Sequence, residues 1–362
     1  MKIAHCIFTM FTGGAQMLVI DILNNLHNEG HDVTLIVVND RWDKTVLDQL
    51  DPAVPVHYIN RKEGSRNPVP IIKLNHLLRK IRPAVVHCHE PNMANFFIRR
   101  KFSCLLTVHD VGIKELYHNK YDTLVAISDS VADDVKQRIG IDIPVAHNGI
   151  DISSFDRRDK YDLAPNECIR IVQVSRLVHE KKGQDVLIQA LSRLLSKRPE
   201  QQASIDFIGD GPSKEYLQAL TRELNLDSCI CFLGNKDRGW IKKNLSTCHI
   251  LVQPSRYEGF GLTIVEGIAA GIPAIASDIE GPKEILKDFK RDLLFEKENA
   301  EELSNRLEAL INLYQEGKMK DFFARIYNKT TDTYSINSTV KGYLGIYTAL
   351  EKKTDSKIYQ EI

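Results

Sequence analysis

The sequence predicts an α/β protein of two doubly wound domains set one after the other. Three observations lead there. Short apolar runs alternate with segments of helical period, as expected for a parallel sheet covered on both faces. The pattern restarts at residue 169, after a polar stretch. The 362 residues exceed what one ordinary core needs and suit two.

Residues 3–8 read as a first buried strand. Residues 15–29 (AQMLVIDILNNLHNE) carry apolar positions at helical spacing and stop at Gly30. VTLIVV (33–38), AVVHC (84–88), LLTVH (105–109) and TLVAIS (123–128) are further strands, with helical stretches between several of them. The polar segment 153–168, with Arg157, Arg158, Asp159, Pro165 and Asn166, reads as a linker. The second round runs IRIVQVS as strand, GQDVLIQALSRLLSK as helix, ASIDFIGD as strand and KEYLQALTRELNL as helix. CICFLG, HILVQPS and IPAIAS follow as strands. From 318 onward the chain is helical and carries Tyr334, Tyr343 and Tyr347, so it either caps the second domain or crosses back to the first. The expected division is a first domain over 1–163, a second over 164–333 and a tail over 334–362, whose polar last ten residues should fray.

Composition removes several function classes. Lys plus Arg and Asp plus Glu both number 48, and that balance argues against a nucleic-acid binder. There are seven cysteines and no CxxC, so small buried hydrophobes in a reducing compartment are expected, including Cys229 and Cys231 in a buried strand. His87-Cys88-His89 offers too few ligands for a metal site. No run has 18 consecutive apolar residues, and the N-terminal IAHCIFTMF is a poor signal peptide. A cytoplasmic protein is expected, with at most a peripheral place at the inner face of the membrane.

In open α/β sheets ligands bind beyond the carboxyl ends of the strands, where helix N-termini suit phosphate. Four strand exits therefore matter. After the first strand, Phe11-Thr12-Gly13-Gly14 lets backbone amides approach a ligand, or is a plain turn. After 169–175, Arg176 and Lys182 place two cations at one exit, next to Gly183, where a helix begins. Two such charges can neutralise a diphosphate leaving group. After 203–208, Gly209-Asp210-Gly211-Pro212 reads as a tight turn, because Lys214 stands where a dinucleotide fingerprint needs a small residue. After 249–253 comes PSRYEGFGLTIVEGIAAG, the most specific segment. Glu258 should lie in its loop and Glu266 about two turns into its helix, two carboxylates able to accept from paired sugar hydroxyls. Ser255 and Glu258 fit capping-box spacing, but two glycines follow where helix formers should, so the cap reading loses.

These residues resemble the large family 4 of retaining GT-B glycosyltransferases. The resemblance spans Gly13 to Leu294 through ordered motifs: GGA at 13–15, TVHD at 107–110, AIS at 126–128, HNGID at 147–151, SRLVHEKKG at 175–183, GDGP at 209–212, PSRYEGFGLTIVEG at 254–267, GIPAIASD at 271–278 and GPKEIL at 281–286. It implies a GT-B fold, two doubly wound Rossmann-like domains facing each other across a cleft. It implies that Arg176 and Lys182, with Lys181 as the alternative to Lys182, hold the donor diphosphate. Glu266 would bind ribose hydroxyls and Glu258 the sugar near its reacting carbon. Gly259, Phe260, Gly261 and Leu262 would complete the donor site. Gly14 would offer its amide, and His109 would face the donor sugar, from the other domain. No cofactor and no metal is implied, and the sequence contains no Asp-x-Asp.

The reaction this implies is transfer from a nucleotide sugar, UDP by default, to a glycan or lipid-linked acceptor in cell-surface polysaccharide synthesis. Arg176, Lys182 and helix-start amides would stabilise charge growing on the leaving phosphate. Attack on the same face, with that phosphate taking the acceptor proton, needs no protein nucleophile. Residues 61–101 carry ten Lys or Arg (Arg61, Lys62, Arg66, Lys73, Arg79, Lys80, Arg82, Arg99, Arg100, Lys101) against Glu63 and Glu90, a net +8. They form either a solvated face or a contact for anionic membrane lipid or a lipid-diphosphate acceptor. A nucleotide-sugar epimerase and a non-catalytic binding module are the rival readings. The retained charged residues disfavour the second.

Overall fold

A computed structural model describes residues 1–11, 13–164 and 167–360, with side chains through residue 352. Thr12 of the glycine turn and Pro165 and Asn166 of the expected linker lie outside the described residues, as do the side chains of the polar C-terminal stretch. The chain forms two compact units. One comprises Met1–Ile150 together with the chain from Ser335 onward, and the other Asp151–Tyr334.

The first unit holds a parallel sheet of β1 (Lys2–Ile7), β2 (Asp32–Asn39), β3 (Val56–Arg61), β4 (Val85–Cys88), β5 (Ser103–Val108) and β6 (Thr123–Ala126). Their spatial order is β3-β2-β1-β4-β5-β6. The second unit repeats this with β7 (Ile169–Val174), β8 (Ala203–Ile208), β9 (Ile230–Gly234), β10 (Ile250–Gln253), β11 (Ala274–Ser277) and β12 (Leu294–Phe295). Its order, β12-β11-β10-β7-β8-β9, is the same winding. In each sheet the direction of winding reverses between the first and fourth strands, and ligands of such sheets bind at that reversal. The two reversals lie between β1 and β4, and between β7 and β10.

Central strands are apolar on both faces because helices cover both. Ile3, Leu35, Val37, Val85 and Leu105 are fully buried in the first unit, and Ile171, Ile205, Ile250 and Ile275 in the second. β3 escaped the sequence reading. It is an edge strand whose apolar residues are interrupted by His57, Asn60 and Arg61, so it lacks a continuous hydrophobic run. β12, two residues long, was missed for its brevity. β9 is the opposite edge, which explains why Cys231 is exposed and not buried as expected.

The expected boundary at 163 lies too late in the chain. The Phe155–Tyr161 stretch is not a free linker but a strap on the second unit. The Asp156 and Arg158 amides donate to the Lys242 and Ala270 carbonyls at 2.9 Å each. The buried Tyr161 hydroxyl donates to the Gly271 carbonyl at 2.9 Å. At the other end the helix Met319–Thr333 stops, and a new helix (Ile336–Gln360) belongs to the first unit. Tyr343 and Tyr347, one turn apart on it, are completely buried there. Among the described residues no helix is long and apolar enough to cross a membrane.

Candidate active site

In the second unit the predicted residues gather at the exits of β7 and β10. A short helix, His179–Lys182, follows β7, and Gly183 turns the chain into the helix Gln184–Lys197. Gly183 has φ +66°, and a Cβ there would lie 1.9 Å from the Pro254 carbonyl oxygen, so only glycine lets the two exits approach this closely. That approach brings Lys182 to Glu258. The Lys182 ammonium donates to Glu258 Oε2 at 2.6 Å, with both side chains about four-fifths buried at 21% and 17% exposure. Gln253 Nε2 donates to the same oxygen at 2.7 Å. The hydrogen bonds to Glu258 all fall on Oε2, and Oε1 accepts none among the described residues. Ser255 reaches Glu258 only at 3.5 Å. The following helix, Leu262–Ala269, starts after Gly261, so Glu258 lies outside it and is not a cap.

The loop is fastened from below. The Arg256 guanidinium grips Asp185 with two bonds of 3.0 and 2.9 Å and donates to Glu298 at 2.7 Å. Its own amide donates to the Lys181 carbonyl at 2.8 Å. These bonds hold the guanidinium charged even more firmly than usual. Gln173 Nε2 donates to the Lys182 carbonyl at 2.9 Å, and Gln184 Nε2 donates to the Arg176 carbonyl at 3.0 Å. Gln253 also receives the Thr263 hydroxyl. Sequence reasoning overlooked Gln173, Gln253, Asp185 and Arg256. For the two glutamines the available signal was an amide at or next to the end of each of two mostly apolar strands, IRIVQV and ILVQ, where a buried amide must have partners.

Arg176 sits at the same exit with its guanidinium exposed. No ion pair engages it among the described residues. Lys181 is likewise exposed, so of the two lysines Lys182 is the one joined to Glu258. Gly209 and Gly211 abut the Ser175 and Leu177 carbonyls, where a Cβ would lie within 2.0 and 2.4 Å. The GDGP turn therefore braces the β7 exit. Glu266 stands one turn into its helix, not two as expected, because the helix begins only at Leu262. The Phe260 ring is buried against Tyr334 at 5.4 Å between centroids, and its backbone lies close against Gly281, where a Cβ would come within 2.6 Å of it.

In the first unit Gly14 opens the helix Gly14–Asn28, whose N-cap Gly13 supplies no side-chain acceptor. Among the described residues no side chain at the N-cap position accepts from the first-turn amides. His109 follows β5 and joins a histidine cluster. His89 Nδ1 meets His109 Nε2 at 3.2 Å, and His5 Nδ1 meets His89 Nε2 at 3.1 Å. His87 Nδ1 meets the Tyr347 hydroxyl and its Nε2 the Thr107 hydroxyl, each at 2.6 Å. Burial lowers His5 to about 3 and His109 to about 4, and lowers His87 and His89 well below the usual imidazole range, so all four rings are neutral near pH 7. Nitrogens of His5, His87 and His89 lie within 4.8 Å of one another. Each of these rings already commits both nitrogens to hydrogen bonds, which does not suit three converging metal ligands.

The basic stretch is partly committed inside the first unit. Arg61 donates to Asn39 and to the Ser65 carbonyl, and its guanidinium lies over Phe96 at 5.0 Å. Lys73 donates to the Tyr58 carbonyl at 2.6 Å, and Arg100 pairs with Asp122 at 3.3 Å.

Two family models match this chain. The Glycosyltransferase Family 4 model covers residues 12–154, and Glycosyl transferases group 1 covers residues 156–326. The chain belongs to the group 1 glycosyltransferases. Its two Rossmann-like units make the GT-B fold of that group. Over 328 residues it is 25% identical to the phosphatidyl-myo-inositol mannosyltransferase of Mycolicibacterium smegmatis, covering 85% of this chain and 83% of the other. It is 24% identical to the N-acetylgalactosamine-N,N'-diacetylbacillosaminyl-diphospho-undecaprenol 4-alpha-N-acetylgalactosaminyltransferase of Campylobacter jejuni, covering 86% and 90%. The structure of Anabaena Alr3699/HepE in complex with UDP and glucose superposes with a TM-score of 0.79 at 18% identity, covering 96% of this chain and 100% of the other.

Proposed function

We propose that this group 1 glycosyltransferase moves a hexosyl or related sugar from UDP to a hydroxyl of a glycan or lipid-linked acceptor, with retention and without a metal ion. The observation that carries this reading is the Lys182–Glu258 pair, at 2.6 Å, beside the exposed Arg176 at the winding reversal of the second sheet. The two cations take the diphosphate, and their charge favours the leaving group as the anomeric bond breaks. Glu258 Oε1 accepts from a sugar hydroxyl and Glu266 from the ribose. Gly259, Gly261, Leu262 and the Phe260 backbone line the donor. From the first unit, Gly14 and His109 serve the sugar. The acceptor attacks on the face the phosphate leaves, and a phosphate oxygen takes its proton.

The Anabaena structure, solved with UDP and glucose, supports the choice of UDP. Two relatives are named for lipid-borne molecules, which supports a lipid-linked acceptor and a role in cell-surface polysaccharide synthesis at the inner face of the membrane. Exposed Val69, Ile72 and Ile98 (63, 59 and 48% exposed) lie within the basic stretch and could rest on anionic lipid. Replacing Ile72, Arg99 and Lys101 together by Ser should weaken binding to anionic vesicles; unchanged binding removes the membrane contact.

The test of the reaction is incubation with UDP-sugars and lipid-linked acceptors in EDTA, with the anomeric configuration of the product read by NMR. An α-linked product from an α-linked donor is expected. Conversion of the donor to its epimer without transfer, or donor binding without turnover, replaces the proposal with one of its rivals.

A further inference from the structure

The hydrogen bonds around His109 form one unbranched chain through the first unit. From His109 Nε2 it runs to His89 Nδ1, from His89 Nε2 to His5 Nδ1, and from His5 Nε2 to the Tyr347 hydroxyl at 3.4 Å. From Tyr347 it passes to His87 Nδ1, from His87 Nε2 to the Thr107 hydroxyl, and from there to the Tyr343 hydroxyl at 2.8 Å. The sheet and the C-terminal helix together create it. His5 and His87 are register partners on β1 and β4, Thr107 is the penultimate residue of β5 on the neighbouring side, and Tyr343 and Tyr347 descend on them from one helix face.

A neutral imidazole has one N–H and one bare nitrogen, so a chain of neutral rings has a direction. Each ring that accepts from one side must donate to the other. Two directions exist, and the buried end distinguishes them. Tyr343 is completely buried, and its hydroxyl touches only Thr107 among the described residues. If the protons point toward Tyr343, the last phenolic O–H has no acceptor. If they point away from it, Tyr343 donates to Thr107, Thr107 to His87, His87 to Tyr347, Tyr347 to His5, His5 to His89 and His89 to His109 Nε2. Every buried hydrogen then has an acceptor. An unsatisfied buried donor biases such a choice on the order of ten-fold or more.

The geometry points to Tyr343, Thr107 and Tyr347 as positioning residues that fix the tautomer of His109, so that its free Nδ1 carries the proton and faces a ligand as a hydrogen-bond donor. His109 is partly buried and its Nδ1 has no protein partner among the described residues. Its use by substrate rests on the function proposed above; its tautomer does not. A ring held this way donates to an oxygen of the sugar or acceptor and cannot act as a general base through Nδ1. The neutral state imposed by burial keeps the chain intact at physiological pH.

The test is a long-range nitrogen–proton correlation on the full chain labelled with nitrogen-15 histidine, with His109 assigned by the signal lost in His109→Gln. The expected wild-type pattern is a protonated Nδ1 and a bare Nε2. In Tyr347→Phe the broken chain leaves His5 Nε2 and His87 Nδ1 without partners in either direction, so the second tautomer should grow to a measurable fraction. Thr107→Val should do the same and serves if the tyrosine variant does not fold. A wild-type His109 protonated at Nε2, or a tautomer indifferent to both cuts, overturns the assignment. Turnover separates the two claims. A fixed Nδ1 proton with a fully active His109→Gln would leave the relay standing and remove His109 from the transferase site.

Discussion

Gly183→Ala probes whether close approach of two strand exits builds the donor site. Gly183 has φ +66° and a would-be Cβ 1.9 Å from the Pro254 oxygen, whereas Gly317 has φ +67° and nothing within 4 Å. Alanine at either site meets the same left-handed penalty, about 1–2 kcal/mol. Only at 183, where the Cβ would sit 1.9 Å from the Pro254 oxygen, must two backbone segments also move apart, by roughly 1.5 Å to reach an ordinary contact, which costs about 1–3 kcal/mol more. In a unit of this size that difference lowers the melting temperature of Gly183→Ala below Gly317→Ala by roughly 3–10 °C. The same displacement separates Lys182 from Glu258, so UDP affinity should fall in the first variant and not in the second. Scanning calorimetry and UDP titration on the pair measure both. Equal melting temperatures and equal affinities would refute the claim that this glycine sets the spacing.

Glu258→Gln keeps the shape and most hydrogen bonds but removes the charge facing Lys182. Turnover should fall on the order of a hundred-fold while stability drops by about 1 kcal/mol, read by initial rates and thermal melts. Glu266→Ala should weaken UDP-sugar binding about ten-fold, measured by titration, and unchanged affinity would exclude it from the ribose site. The buried histidines predict an acid-sensitive first unit. His5 and His109 titrate at about 3 and 4 when folded but near 6.5 when unfolded, and His87 and His89 are lowered too. Below 6.5 the unfolded chain therefore binds more protons, and stability falls with pH, by up to ~1.4 kcal/mol per pH unit for each histidine. Urea midpoints at pH 7.5 and 5.5 that coincide would contradict this.

Much of the fold was legible because buried parallel strands leave apolar runs that need no tertiary knowledge to find. β3 and β9 were harder, since edge strands face solvent along one side and need no continuous hydrophobic run. The strap from Phe155 to Tyr161 looked like a linker because its polar side chains conceal backbone bonds to distant loops. At the site, Arg176, Lys182 and Glu258 could be read from their places after strands. Arg256 could not, because its role depends on Asp185, which only the fold brings within 3 Å. The histidine relay was equally hidden. His87 and His89 drew notice as ligand types, but their partners Tyr343 and Tyr347 lie at the far end of the chain.

The most direct measurement compares UDP with uridine, by calorimetric titration in EDTA, against the wild-type chain, Arg176→Ala and Lys182→Met. If these two cations hold the diphosphate, UDP binds the wild type without metal and loses on the order of ten-fold or more in affinity in each variant, while uridine affinity stays where it was. UDP affinity that survives both substitutions, or that appears only when a divalent ion is supplied, would contradict the placement of the donor at the exits of β7 and β10.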